Sequence, residues 1–150
     1  MSDDATEARK KAMDLLARRE HARGELERKL AAAGFDADIA ADVLQRLAEE
    51  GLQSDRRFVE AFVQSRINQG KGPIRIHADL GQRGIAAGLI DEVLAEAGED
   101  WCALARAIRK KKFGPSQPVE FRERARQMRF LQYRGFEPDQ IQAAVSSFED

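Results

Sequence analysis

Apolar residues recur three or four positions apart through nearly the whole chain, the spacing that aligns side chains along one face of an α-helix. Leu26 and Leu30 lead into Gly34-Phe35, and Ile39, Val43 and Leu44 follow. Ile76 and Leu80 lead into Gly84-Ile85 in the same way, followed by Leu89, Val93 and Leu94. A third round runs from Met128 and Leu131 through Gly135-Phe136 to Ile141 and Val145. Here Met128 stands seven positions before its glycine, where Leu26 and Ile76 stand eight before theirs. A fixed period of about fifty residues is the mark of tandem structural units. Physically, each glycine reads as a corner between two helices. It can take the left-handed conformation that satisfies the last carbonyls, and the apolar residue behind it folds back on the helix just ended. Asp36 suits the cap of the helix that follows, and Pro138 suits a first helical turn.

Each such pair is preceded by one more amphipathic stretch. Ala12, Leu15 and Leu16 carry the first, Phe58, Val59, Phe62 and Val63 the second, and Trp101, Leu104, Ala105 and Ile108 the third. The spacing therefore predicts helices over about 6–20, 23–33 and 37–49, then 54–69, 73–82 and 86–97, then 99–112, 119–133 and 137–148. Gly70, Gly72 and Pro73, and later Gly114, Pro115 and Pro118, stop helices between them. Ile74 and Ile76 alternate as in a strand, but the repeat places a helix there. The expected fold is all-α, with three tandem three-helix repeats at residues 1–50, 51–98 and 99–150. A unit of that size has only a small core of its own, so the units should pack on one another into an elongated, curved array. Such an array offers a long side on which a large partner can lie.

Composition supports a soluble helical chain: 43% of residues are hydrophobic and 34% charged, which argues against disorder and against a membrane protein. No apolar run is long enough to span a bilayer. The opening Met1-Ser2-Asp3-Asp4 carries no export signal, and the single cysteine, Cys102, fits a reducing compartment. The expectation is a cytoplasmic monomer. Net charge is −1, yet the three units carry −3, zero and +2, and residues 101–136 carry +8, with only Glu120 and Glu123 opposing ten basic side chains. A local field of that sign attracts polyanions or an acidic protein face.

Within that basic stretch, Arg106, Arg109, Lys110 and Phe113 fall at helical spacing on a face turned away from Trp101, Leu104, Ala105 and Ile108. On the next helix Arg122, Arg126, Arg129 and Tyr133 run down one side, while Phe121, Ala125, Met128 and Leu131 line an adjacent, buried one. Such a surface can hold a phosphate backbone or acidic side chains, with Tyr133 free to stack. The middle unit adds Arg57, Arg66, Lys71, Arg75 and Arg83, among interspersed acids that can pair with some of them. Gly70-Lys71-Gly72-Pro73 lacks the spacing of a phosphate loop and reads as a tight connector from which Lys71 can face a partner. His21, His77 and Cys102 are too few to build a structural zinc site. No nucleophile with its base is visible, so neither catalysis nor a cofactor is expected.

The residues that carry the repeat also carry a resemblance. Leu15-Leu16-Ala17-Arg18-Arg19-Glu20-His21, with Glu25 to Leu30 and Gly34, resembles the opening of the RecX family. Asp55-Arg56-Arg57-Phe58, Arg66, Gly70-Lys71-Gly72-Pro73, Leu80 and Arg83-Gly84-Ile85 resemble its middle section. Lys111-Lys112-Phe113 and Arg129 through Phe136 resemble its third. The likeness covers about residues 9–148 in the right order. It implies three tandem three-helix repeats that lie in the groove of RecA filaments on single- or double-stranded DNA and restrain recombinase, ATPase and coprotease activity without covalent chemistry. The candidate residues for such a contact are Arg57, Arg66, Lys71, Arg75, Arg106, Arg109, Lys110, Lys111, Lys112, Arg122, Arg126, Arg129, Tyr133 and Arg134. One position departs from the family pattern: Ala22 stands near a usual serine and cannot complete a capping box with Glu25, a loss of at most about 1 kcal/mol. The rival reading is a free-standing helix-turn-helix DNA-binding protein. Against it, the third helices of the first two units carry Asp38, Asp42, Asp91 and Glu92, which would repel phosphate.

Overall fold

The computed structural model describes residues 3–146, and these form helices joined by short connectors, with no strand among them. The first unit holds α1 (Asp3–Arg18), α2 (Arg23–Ala32) and α3 (Ala37–Glu49). The second holds α4 (Asp55–Asn68), α5 (Pro73–Gln82) and α6 (Ala87–Ala97). The third holds α7 (Trp101–Phe113), α8 (Phe121–Tyr133) and α9 (Pro138–Val145). Ile74 and Ile76 are thus helical, as the repeat requires. The expected helix 137–148 is seen as far as Val145, and residues 147 and 148 lie outside the described part. No helix among the described residues is long and apolar enough to cross a membrane.

The corners are built as the glycines predict. Gly34, Gly84 and Gly135 have φ of 92°, 83° and 97°. The amides of Phe35, Ile85 and Phe136 then reach back to the carbonyls of Leu30, Leu80 and Leu131 at 3.1–3.2 Å, closing the Schellman motif. Asp36 accepts from the Asp38 amide at 2.8 Å, and Ser54 and Asp100 cap α4 and α7. Pro73 and Pro138 each open a helix.

In every unit the first helix packs on the third, α1 on α3, α4 on α6 and α7 on α9. The result is three cores strung in a row. Leu26, Leu30, Leu44 and Leu47 centre the first, Val59, Val63, Ile76, Leu80 and Ile90 the second, and Leu131, Phe136, Ala144 and Val145 the third. Two features knit them. Ala22, which belongs to the first unit, is buried in the second core, and Trp101 with Leu104 packs against both the second and the third. The chain exposes 9087 Å², against roughly 7,600 Å² for a compact monomer of its mass. That excess is what an array shows and a single bundle does not.

The third core departs from the other two. Its position eight before the glycine is Gln127, only 3% exposed, so that Met128 is left half-buried beside it. Gln127 there accepts from buried Arg109 at 3.2 Å and donates to Glu123 at 2.8 Å. Gln127 thus stands where the first two units have Leu26 and Ile76, and its burial is offset by its bonds to Arg109 and Glu123, although Arg109 Nε is left without a partner among the described residues.

Candidate nucleic-acid interface

The connector Gly70-Lys71-Gly72-Pro73 and the corner Arg134-Gly135-Phe136, far apart in sequence, are two halves of one contact. Gly72 N–H donates to Arg134 O at 2.8 Å and Ile74 N–H donates to Gly135 O at 2.9 Å. The orphan amides at the start of α5 are therefore satisfied by the orphan carbonyls at the end of α8, with the two helix dipoles head to tail. Both glycines are required by proximity. A Cβ on Gly72 would stand 2.5 Å from Phe136 N, and one on Gly135 would stand 2.6 Å from Arg75 N. The Arg134 side chain closes the contact by donating to Gln69 O at 2.9 Å.

This joint gathers cations. Lys71 sits among Arg66, Arg75 and Arg134, and its ammonium is held below the usual lysine range by partial burial and by those three guanidinium groups, with Asp79 opposing them. Among the described residues only Arg75 of the four meets a carboxylate, Asp79 at 3.7 Å. The guanidinium groups are held by aromatic rings instead. Arg66 lies 4.0 Å and Arg83 4.9 Å from the Phe62 centroid, and Arg75 lies 5.7 Å from that of Tyr133. Arg134 and Lys112 flank Phe130 at 5.3 and 5.7 Å, and Phe130 packs edge-on against Phe113. A cation over a ring face is attracted by the ring quadrupole and keeps its charge and outer N–H groups for a ligand. A groove lined by Gly70, Ile108, Lys111, Lys112, Phe130 and Arg134 continues the surface into the third unit.

Several expected residues are placed elsewhere. Arg109 is 3% exposed and donates to Ser116 O and Gln127. It continues the core stripe of Trp101 and Ala105 at four-residue steps, and so leaves the exposed face to Lys110 and half-buried Arg106. Arg57 is a clasp between the first two units, bonded to Glu20 at 3.0 Å and Gly51 O at 2.8 Å. Arg122, Arg126, Arg129 and Tyr133 do share an exposed face of α8. Arg126 is paired there with Glu123 and lies over Phe113, and Tyr133 is 77% exposed. Phe121, expected inside, is 84% exposed because it opens α8 beyond the reach of the core. Cys102 beside Trp101 is half-buried. Phe62 and Phe130, read from the sequence only as part of an apolar stripe and a motif, are platforms of the site. Their four-residue spacing from Arg66 and Arg134 was the available signal. No group of three metal-ligating side chains occurs among the described residues.

The chain matches the RecX family along its length: the first three-helix domain over residues 8–47, the second over 54–94 and the third over 98–145. A regulatory protein RecX from Halorhodospira halophila is 52% identical over 97% of this chain and 91% of its own. One from Pseudomonas entomophila is 46% identical over 96% and 93%. The crystal structure of RecX from Lactobacillus salivarius superimposes with a TM-score of 0.78, covering 97% of this chain and 96% of that one at 22% identity. A second RecX crystal structure gives a TM-score of 0.81 over 95% of this chain and 71% of its own.

Proposed function

We propose that this chain, which belongs to the RecX family of regulatory proteins, binds RecA filaments on DNA and restrains the recombinase by occupancy, without covalent chemistry. One observation carries the reading: four cations converge on a joint made of main-chain hydrogen bonds, and among the described residues the one carboxylate beside them, Asp79, pairs with Arg75. Like charges gathered with one carboxylate to oppose them destabilise the free protein and are relieved when an anion arrives. A phosphate backbone is such an anion, and it is continuous enough to follow the surface from Arg66 past Lys71 to Lys112. The acidic third helices disfavour the rival reading of a free-standing DNA reader. Asp38, Asp42 and Asp91 are exposed on α3 and α6, and Glu92 and Glu96 of α6 are committed to Arg56.

The test is inhibition of RecA's DNA-dependent ATP hydrolysis at fixed salt by the intact chain and by Lys71→Glu. The wild type should inhibit at stoichiometric dose. Lys71→Glu should raise the half-inhibitory dose about tenfold and flatten the salt dependence of DNA binding by about one phosphate contact. The substitution places a carboxylate among three guanidinium groups, so its melting temperature should hold or rise and the loss cannot be attributed to unfolding. Absence of inhibition by the wild type would sink the reading.

A further inference from the structure

The two flanks of α8 have opposite chemistry. Successive helical residues are rotated by about 100°, so Met128 and Gln132 project on the side away from Phe130 and Arg134. The latter pair lines the cationic groove. The former lines a depression of about 450 Å³ with Ile74, Phe136, Pro138 and Ile141. Ile74, at the first turn of α5, is 51% exposed and is shared with a second depression of about 440 Å³, whose wall includes Pro73, Ala78, Leu94, Asp91 and Glu137. Neither depression is lined by a lysine or an arginine. The charged groups that line them are Glu137 and Asp91, the latter hydrogen-bonded to His77 at 3.0 Å.

We infer that this apolar trench is a second docking surface, for a protein segment with apolar side chains flanked by lysine or arginine. Charge decides the occupant. A phosphate backbone is repelled by Glu137 and Asp91 and gains nothing from an apolar floor, whereas an amphipathic helix or strand buries apolar side chains there and sets its basic flanks against the two carboxylates. The two depressions share Ile74 as a wall and so can accept successive apolar side chains of one segment. The main-chain joint between α5 and α8 runs between the trench and the cationic surface, so it fixes one relative to the other. This rests on the proposed function and deepens it: the cationic flank faces the DNA, and the trench takes the protein wall of the filament beside it.

Full-length Ile74→Ser and the double variant Ile74→Lys, Gln142→Lys test the assignment; Ile74 and Gln142 are exposed, and circular dichroism melting checks the fold. Affinity for a fluorescent single-stranded oligonucleotide alone, and the half-inhibitory dose against RecA ATP hydrolysis, are measured at one salt concentration. Ile74→Ser should leave oligonucleotide affinity within about twofold, while both variants raise the half-inhibitory dose about tenfold or more. An unchanged dose in both variants overturns the inference and leaves the proposed function standing. An equal loss of oligonucleotide affinity in Ile74→Ser overturns it in favour of nucleic acid in the trench. A wild-type dimer in sedimentation that Ile74→Lys, Gln142→Lys dissociates overturns it in favour of a second copy. No inhibition by the wild type removes the proposed function and the inference together.

Discussion

The first and second units are joined by side chains, the second and third by backbone. In the first joint Glu25, 7% exposed, is the hub. It accepts from Arg19 at 3.0 and 3.2 Å and from the Ala22 amide at 3.0 Å, with Arg83 of the second unit 3.9 Å away. Around it, Arg23 N–H donates to Asp55 at 2.8 Å and Gln53 donates to His21 O at 3.2 Å. In the second joint the two central bonds run main chain to main chain, the Arg134 side chain adds one to Gln69 O, and fit depends on two missing side chains. Charges respond to salt and to protonation, whereas amide-to-carbonyl bonds respond to neither. The first joint is therefore one that solution conditions can loosen, and the second holds the cationic surface in a fixed shape.

The largest expected effect comes from Gly135→Ala. It combines an unfavourable φ with overlap against Arg75, and should cost about 3 kcal/mol or more in urea or thermal unfolding. Gly34→Ala is the control, because it has nearly the same φ of 92° but nothing within 4 Å of the added carbon. It should cost about 1 kcal/mol. The difference between them isolates the close approach at the second joint. Equal losses would mean that the joint gives way at little cost.

That joint also marks what could be read from sequence. The corners were legible because a glycine and the apolar residue behind it act on their own helix. The connector at Gly70 and the corner at Gly135 were each recognisable, but nothing in either announces that the other caps it. Arg109 lies four residues beyond Ala105 on the core stripe, yet an arginine among the basic neighbours Arg106 and Lys110 reads as part of their solvated face. Its partner Gln127, polar at a core position, diverted the pattern to Met128. Both errors share one cause, since a buried polar pair is invisible until both members are in place. The ring pairs show the same division. Phe62 with Arg66 and Phe130 with Arg134 are four residues apart, whereas Arg83 over Phe62 and Lys112 over Phe130 exist only in the folded chain.

At the first joint, Glu25→Gln should cost about 1–2 kcal/mol, since amide replaces a buried carboxylate that two arginines face. Burial alone would push the Glu25 carboxyl up, but the hydrogen bonds from Arg19 and the Ala22 amide, with the neighbouring Arg19 and His21, outweigh it and hold it below the ordinary range. A lowered carboxyl stabilises the fold fully above its unfolded value, about 4.5. That contribution is lost as pH falls through the lowered folded value. Wild type should therefore lose stability in acid more steeply than Glu25→Gln. Raising salt should speed exchange of the Arg23 amide while leaving Gly72 and Ile74 protected, and parallel responses would mean that the two joints are held by the same kind of interaction.

The smallest effect belongs to His21, which is 1% exposed. The Lys29 ammonium can only donate, so Nε2 of His21 accepts from it at 3.2 Å, and Nδ1–H donates to Arg19 O at 3.1 Å. A proton added at Nε2 breaks the lysine contact and sets a cation against Lys29 and Arg19, with the Glu25 carboxylate in opposition. Burial first, then these cations, lower its pKa against the opposing pull of the Arg19 carbonyl and Glu25. The sign follows: the stabilisation is complete above the ordinary value of 6.5 and is lost as pH falls from there through the lowered folded value. His21→Gln keeps a donor and an acceptor but does not titrate, so its stability should stay level between about pH 7 and 5 where the wild type declines. A wild-type decline that His21→Gln leaves intact would place the titrating group outside the first joint, and the loosening of that joint would then begin only with Glu25.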